Sequence, residues 1–159
     1  MAKDNKSNAM RILDKLKITY TAHTYECEEF TDGLQIANLL GEDCASVFKT
    51  LVTVGKSGKY FVFCVPVDCE MDLKKCAKAV DEKSLEPIHV KDIFAITGYI
   101  RGGCSPIGMK KQFRTVIHES AESLNTIIVS GGRLGLQLEL TPGDLIKACS
   151  GEFADIIRE

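Results

Sequence analysis

The chain has 159 residues, of which 45% are hydrophobic and 26% are charged, and it carries a formal net charge of −2 with a pI near 6.0. These values are ordinary for a soluble globular protein and predict a single domain over residues 1–159 with a real core. They argue against a protein that holds nucleic acid by bulk positive charge. Because no apolar run approaches the roughly 20 residues of a membrane span and the start of the chain is polar, we expect no membrane association and a cytoplasmic location.

An amphipathic pattern near the start predicts a helix over Asn8–Leu16, with Ser7 as its N-cap. A short strand is predicted over Thr19–Tyr25. A second helix is predicted to follow, with its cap at Thr31 or Asp32.

Two β-rich runs follow, over residues 46–54 and 59–67, and the Gly-Lys-Ser-Gly sequence between them predicts a hairpin. In the first run, the period of two places Lys49 on the same face as Val47 and Leu51. If that face points inward, the ammonium group is partly desolvated and can act on whatever fills the cavity. An exposed lysine that protects a sheet edge is the alternative.

The rest of the chain predicts short elements of both kinds. In chain order they are a helix capped by Asp72 that runs to about Val80, a strand over Ile88–Val90, a helix over Lys91–Ile96, a strand over Gln112–His118, a helical turn over 121–124, strands over 126–130 and 134–140, and a last helix opened by Thr141 and Pro142. Strands outnumber helices without a regular βαβα alternation. The pattern therefore predicts an α+β class with a mixed, mostly antiparallel, barrel-like sheet flanked by helices.

A glycine-rich segment lies between residues 97 and 111. Four glycines and one proline fall between Gly98 and Gly108. A loop of this composition can hold consecutive backbone N–H groups in one orientation, as anion sites and oxyanion holes require. A long connecting loop is the simpler alternative.

The usual nucleophiles and metal ligands have no signature here. The seven cysteines show no C-x-x-C spacing, so no metal and no cofactor are expected. The histidines, His23, His89 and His118, stand in no recognisable motif and are interpreted as structural. Cys104 lies within the glycine-rich segment and is the one cysteine to test as a nucleophile, with a passive packed thiol as the alternative.

Three segments carry a resemblance to a known family. SVFKTLV (46–52), TGYIRGGCSPIG (97–108) and IVSGGRLGLQ (128–137) occur in this order in YbaK-type proteins, which are free-standing aminoacyl-tRNA deacylases. These proteins are similar to the editing domain inserted in bacterial prolyl-tRNA synthetase. The match runs from about Ser7 to Leu145.

The resemblance implies the YbaK/prolyl-tRNA synthetase editing-domain fold and a set of site residues. The family's essential lysine corresponds to Lys49, and its glycine loop corresponds to 102–106, where Gly103 and its neighbours face the reacting carbonyl. Substrate-binding positions correspond to Tyr20, Phe30, Thr50, Gly102, Cys104, Ser105, Pro106 and Ser130. The family often has an acidic residue near Gln137, so this neutral residue is left out of the catalytic set.

The resemblance also implies an activity and partners. The expected substrate is mischarged tRNA, chiefly cysteine on tRNA for proline, bound through its 3′ aminoacyl-adenosine end, and prolyl-tRNA synthetase is the expected protein partner. The substrate's own thiol would attack the ester, so the protein need only fold the substrate and stabilise the oxyanion. Three alternatives stay open: an alanyl-tRNA(Pro) deacylase that uses water, a non-catalytic module that binds aminoacyl-tRNA or a synthetase, and a redox-sensing thiol protein.

Overall fold

The computed structural model of the chain describes residues 6–26 and 33–159. Its helices are α1 (Asn8–Lys15), α2 (Gly33–Leu40), α3 (Leu73–Ala79), α4 (Ile93–Thr97) and α5 (Pro142–Cys149). Its strands are β1 (Thr21–Thr24), β2 (Phe48–Gly55), β3 (Tyr60–Pro66), β4 (Leu85–Pro87), β5 (Arg114–His118), β6 (Ile127–Ser130), β7 (Leu136–Leu140) and β8 (Gly151–Ala154). Short 3₁₀ turns cover Cys44–Ser46, Val90–Asp92 and Glu119–Ser123.

The strands form two sheets. The larger has the order β4-β2-β3-β5-β8; β2 is antiparallel to both neighbours, whereas β5 runs parallel to β3 and β8. The smaller sheet, β1-β7-β6, is antiparallel throughout. A parallel bridge between Val47 and Ile128 brings the two sheets together. The predicted α+β class and mostly antiparallel pairing are confirmed, and the described strands remain two open sheets rather than a closed barrel.

The larger sheet is covered on both faces, which explains the near-continuous apolar sequence of β3. Because side chains alternate along a strand, Cys64 points into a core shared with α1, α5 and the smaller sheet. Phe63 and Val65 point into a second core, beneath α3. All three of these side chains are fully buried.

Side-chain caps begin three of the helices where the sequence predicts them, at Ser7, Asp72 and Thr141. The Ser7 hydroxyl accepts from the N–H of Met10 at 3.2 Å. The Asp72 carboxylate accepts from the N–H groups of Lys74 and Lys75 at 2.9 and 3.1 Å. Each cap satisfies donors that the first turn of a helix leaves without a partner.

Some predicted elements differ from the structure. The strand predicted over Ile88–Val90 is wrong, because β4 lies three residues earlier, where it pairs with residues 53–55 of β2. The sequence does not predict β8, because its residues, Gly-Glu-Phe-Ala, lack a strand pattern. This strand is held by parallel pairing with β5. The predicted cap at Thr31 or Asp32 lies outside the described residues. Within the described ranges, no helix is both long and apolar enough to cross a membrane.

Candidate active site

One cavity of about 590 Å³ opens beside β2. Its walls come from residues 47–52 of β2 and the turn before it, from α4 and the loop that follows, and from the facing ends of β6 and β7. Met71, Leu73, Ile88, Val90 and Ile93 make much of its surface apolar. This volume is within the range that encloses one ligand of drug-like size.

The cavity lies against an unpaired stretch of the β2 edge. The odd-numbered residues of β2 direct their main-chain groups toward β3, since Val67 N–H donates to the Val47 carbonyl at 2.8 Å. The even-numbered residues face the opposite edge, where Ile88 N–H donates to the Val52 carbonyl at 3.1 Å. Strand geometry therefore directs the N–H and C=O groups of Thr50 toward the cavity.

Lys49 also lies on the cavity wall. Its side chain is half-buried, and its main chain pairs across the sheet with Val65. Among the described carboxylates, none lies within ion-pair distance of its ammonium group. The ammonium group is thus available to a polar group of a bound ligand.

The glycine-rich loop presents alternate residues to the cavity. Gly102 and Cys104 line it, whereas Gly103, Ser105 and Pro106 are buried within the protein. The Gly103 N–H is already used, because it donates to the Ile100 carbonyl at 2.9 Å. Within the described ranges, the N–H groups of Gly102 and Cys104 have no protein acceptor.

Close packing against the β6–β7 turn explains the glycine at position 103. A Cβ atom there would lie 2.8 Å from the Arg133 Cα and 2.9 Å from its carbonyl carbon. Such distances are not tolerated without backbone movement. Gly103 thereby holds the loop against the turn that follows Ser130.

Tyr99 ties the two ends of the loop together. Its hydroxyl donates to the Ile107 carbonyl at 2.6 Å, while its N–H donates to the Thr97 hydroxyl at 3.0 Å. Burial raises the pKa of Tyr99 to about 12, so the hydroxyl keeps its proton at neutral pH. The loop is therefore held in one shape before any ligand binds.

The thiol of Cys104 is not activated. Desolvation by burial raises its pKa to about 11, and a hydrogen bond with Thr97 only partly opposes this effect. Nearly all of the thiol is therefore protonated at neutral pH. Cys104 contributes an apolar, polarisable surface to the cavity.

Ser130 and Gln137, a cross-strand pair, form the opposite wall. The Ser130 hydroxyl accepts from the Gly132 N–H at 3.4 Å. The hydrogen-bond pattern assigns the amide nitrogen of Gln137 to face Glu42, whose carboxylate oxygens lie 2.8 and 3.2 Å away. Burial raises the pKa of Glu42. The Glu42 carboxylate therefore lies next to the Gln137 amide, although the two residues are far apart in the sequence.

The structure does not bring every proposed site residue to this cavity. Tyr20 packs against the core beneath α1, and Tyr25, five residues later, lines the cavity in its place. The Ser105 hydroxyl accepts from the Ile107 N–H at 3.2 Å, so it shapes the loop from within. Phe30 lies outside the described residues.

The cavity offers no metal-site chemistry in the part of the chain that the structure describes. None of its described wall residues is a histidine. No group of three His, Cys, Asp or Glu residues within the described ranges could hold a metal ion. The polar side chains on its described walls include the Lys49 ammonium, the hydroxyls of Thr50 and Ser130, and an ion pair between Arg158 and Glu70.

Solved structures share this fold. A protein described as a candidate trans-editing enzyme for prolyl-tRNA synthetase superposes with a TM-score of 0.79 and 21% identity, covering 96% of this chain and 98% of its own. A hypothetical protein, APE2540, superposes with a TM-score of 0.86 and 20% identity, covering 96% and 100%. The chain therefore shares its fold with these two proteins over nearly its whole length.

The sequence gives the family directly. The model of the aminoacyl-tRNA editing domain matches residues 28–148, so the chain belongs to this family and its class of activity is aminoacyl-tRNA deacylation. A relative in Enterococcus faecalis, described as a candidate Cys-tRNA(Pro)/Cys-tRNA(Cys) deacylase, EbsC, is 45% identical over 152 residues, which are 95% of this chain and 93% of the relative. The resemblance of the three sequence segments to the YbaK-type deacylases is thus confirmed.

Proposed function

We propose that the protein removes cysteine from mischarged tRNA, chiefly cysteinyl-tRNA(Pro), and that the substrate's own thiol starts the reaction. The observation that carries the proposal is the chemistry of the cavity wall. The wall supplies a lysine, main-chain N–H groups that have no acceptor among the described residues, and a protonated thiol. Its described residues include no nucleophile with a base beside it. A relative described as acting on cysteinyl-tRNA supports the choice of amino acid.

The proposed reaction needs no nucleophile from the enzyme. The substrate sulfur attacks its own ester carbonyl, a C–S bond forms, and the C–O bond to the ribose breaks. The thiol proton passes to the ribose oxygen, which leaves as the free hydroxyl of the tRNA. The four-membered cyclic thioester then takes up water to release free cysteine.

The protein would lower the barrier by positioning and by electrostatic stabilisation. The N–H groups of Gly102 and Cys104 are available to the carbonyl oxygen as it becomes negative. The Lys49 ammonium would orient a ribose hydroxyl or the carbonyl. The half-enclosed apolar walls favour the folded substrate conformation that the ring closure needs.

Esters of tRNA(Pro) with different amino acids test this proposal. Purified protein at catalytic concentration is incubated with cysteinyl-, S-methyl-cysteinyl-, seryl-, alanyl- and prolyl-tRNA(Pro), and loss of the ester is followed. We expect rapid turnover of cysteinyl-tRNA, slow turnover of the seryl ester and almost none of the S-methyl ester. Comparable rates for the free and blocked thiols would instead favour attack by water.

Prolyl-tRNA synthetase is proposed as the partner that supplies the tRNA. The chain has a net charge of −2, which gives little general attraction for RNA. We therefore expect added synthetase to lower KM for cysteinyl-tRNA(Pro) without changing kcat. A KM that does not respond to the synthetase would argue for independent tRNA binding.

A further inference from the structure

Three exposed apolar side chains lie on the segment that borders the cavity at α4. Val90, Phe94 and Ile100 are 54%, 59% and 48% exposed, and they fall within one short segment that includes α4. Large exposed apolar side chains that occur together commonly mark a binding surface. Val90 and Ile93 line the cavity, so the segment that carries Phe94 borders the site.

The same segment is locally basic. Residues 90–111 carry Lys91, Arg101, Lys110 and Lys111 against one acidic residue, Asp92, in a chain whose net charge is −2. The Lys110 ammonium lies over one face of the Phe94 ring, 5.8 Å from its centre, and donates to the Ala95 carbonyl at 3.2 Å. Arg101 lines the cavity on the side of the glycine-rich loop. We call Val90, Phe94, Ile100, Arg101 and Lys110 the α4 rim.

An aromatic ring with cations beside it is the arrangement that binds single-stranded RNA. Bases stack on the ring, and phosphates are neutralised by the lysines and arginines. The cavity holds one ligand of drug-like size, which suits the aminoacyl-adenosine end of the substrate. The nucleotides before that adenosine must then cross the rim of the cavity.

We propose that the α4 rim binds the unpaired 3′ strand of tRNA. The base next to the terminal adenosine stacks on the face of Phe94 opposite Lys110, and Lys110 neutralises a phosphate. This inference rests on the proposed deacylase function, which it extends to the nucleotides outside the cavity. The stacking requires no particular base, because every base has an aromatic face. The rim would thus increase affinity for the acceptor strand without selecting the tRNA.

Three cysteinyl esters of increasing length test the α4 rim: cysteinyl-adenosine, the cysteinyl CCA trinucleotide and cysteinyl-tRNA(Pro). Phe94→Ala should reduce kcat/KM about 5- to 100-fold for the trinucleotide and the tRNA, since one stacked base is lost. The adenosine ester should be cleaved at the wild-type rate. Phe94→Trp should restore cleavage of the longer substrates. Leu16→Ala is the matched control, at a 43% exposed leucine directly after α1.

Salt dependence tests the phosphate contact. Lys110→Gln should reduce the slope of log KM against log salt concentration by about 0.7 for the trinucleotide, as the loss of one single-strand phosphate contact predicts. An unchanged slope would overturn the assignment of Lys110.

Three further outcomes would overturn the inference, each for a different reason. A Phe94→Ala defect that is equal for all three esters would place Phe94 with the cavity itself and overturn the inference. A defect that appears only when prolyl-tRNA synthetase is added would assign the α4 rim to a protein partner and also overturn it. Failure of the wild-type protein to cleave any of the esters would reject the proposed function, and with it this inference.

Discussion

At the scale of single residues, Lys49 is the charged group that the cavity can use most directly. Its ammonium group has no carboxylate partner in the described parts of the chain, so its loss should cost little stability. We expect Lys49→Ala to reduce kcat/KM for cysteinyl-tRNA(Pro) by about 10²–10³, the usual effect of removing one electrostatic contact to the transition state. Steady-state kinetics and thermal unfolding measure the two effects.

Lys59→Ala is the matched control for Lys49→Ala, because Lys59 is an exposed lysine beside the β2–β3 turn. It should leave both kcat/KM and the unfolding temperature unchanged. A folded Lys49→Ala variant that cleaves cysteinyl-tRNA(Pro) at the wild-type rate would show that Lys49 has no part in catalysis.

Cys104 should prove dispensable as a nucleophile. Its pKa of about 11 keeps the thiol protonated at neutral pH. We expect Cys104→Ser to keep kcat within about tenfold of wild type, and iodoacetamide to react slowly with Cys104 at pH 7. A loss above about 100-fold, equivalent to roughly 2.7 kcal/mol of barrier, would point to catalysis by the enzyme thiol.

At the scale of elements, the site depends on the contact between the glycine-rich loop and the β6–β7 turn. Gly103→Ala would place a Cβ atom 2.8 Å from the Arg133 Cα, so one of the two segments must move. We expect this variant to lose both stability, by about 1–3 kcal/mol, and most of its activity. Urea unfolding and kcat/KM measured on the same preparation test both effects.

Gly143→Ala provides the comparison for Gly103→Ala. Gly143 lies in the first turn of α5, where a Cβ atom would meet no atom within 4 Å beyond its chain neighbours and the adjacent backbone of its own helix. It should be neutral or slightly stabilising, since alanine favours the helix over glycine. Equal behaviour of the two variants would show that the loop adapts to a side chain at position 103.

Elements with local signals were predictable from the sequence. The caps at Ser7 and Asp72 and the β2–β3 hairpin follow from neighbouring residues alone. By contrast, β8 has no strand pattern, because its stability comes from parallel pairing with β5, more than thirty residues earlier. Local patterns cannot report a pairing of that kind.

At the scale of the whole molecule, the features of the candidate site that can be predicted are those that one short sequence segment shows by itself. Lys49 is distinguished by strand periodicity and the glycine-rich loop by its composition, whereas their roles at a site come from the family resemblance and stay predictions. The orientation of the loop cannot be predicted in this way, because it depends on the packing of Gly103 against Arg133 and on the Tyr99–Ile107 hydrogen bond. The contact between Glu42 and Gln137 joins positions ninety-five residues apart, and no local pattern predicts it.

His118, which contacts the C-terminal segment, should make the stability of the whole molecule sensitive to mild acid. This histidine is buried, and its Nδ1 accepts from the Ile156 N–H at 3.3 Å. Burial lowers its pKa below the ordinary 6.5, although the nearby Asp155 and Glu119 partly oppose this effect and Lys75 adds to it. Below pH 6.5 the unfolded chain therefore binds more protons at this position than the folded one, and the free energy of unfolding falls as the pH falls.

His118→Asn separates this titration from the hydrogen bond, since the asparagine side chain offers an oxygen acceptor to Ile156 but does not ionise. Urea midpoints are measured for both proteins at pH 7.5 and pH 5.5, and the wild-type midpoint should fall further. The raised pKa of Glu42 acts in the opposite direction but is present in both proteins, so it cancels in the comparison. Asp155, whose pKa is lowered mainly by its hydrogen bond with Lys75, loses its contribution only below about pH 4, outside this window. Parallel midpoints for the two proteins would show that His118 binds the same number of protons in the folded and the unfolded chain over this range, and would refute the acid sensitivity proposed for the C-terminal segment.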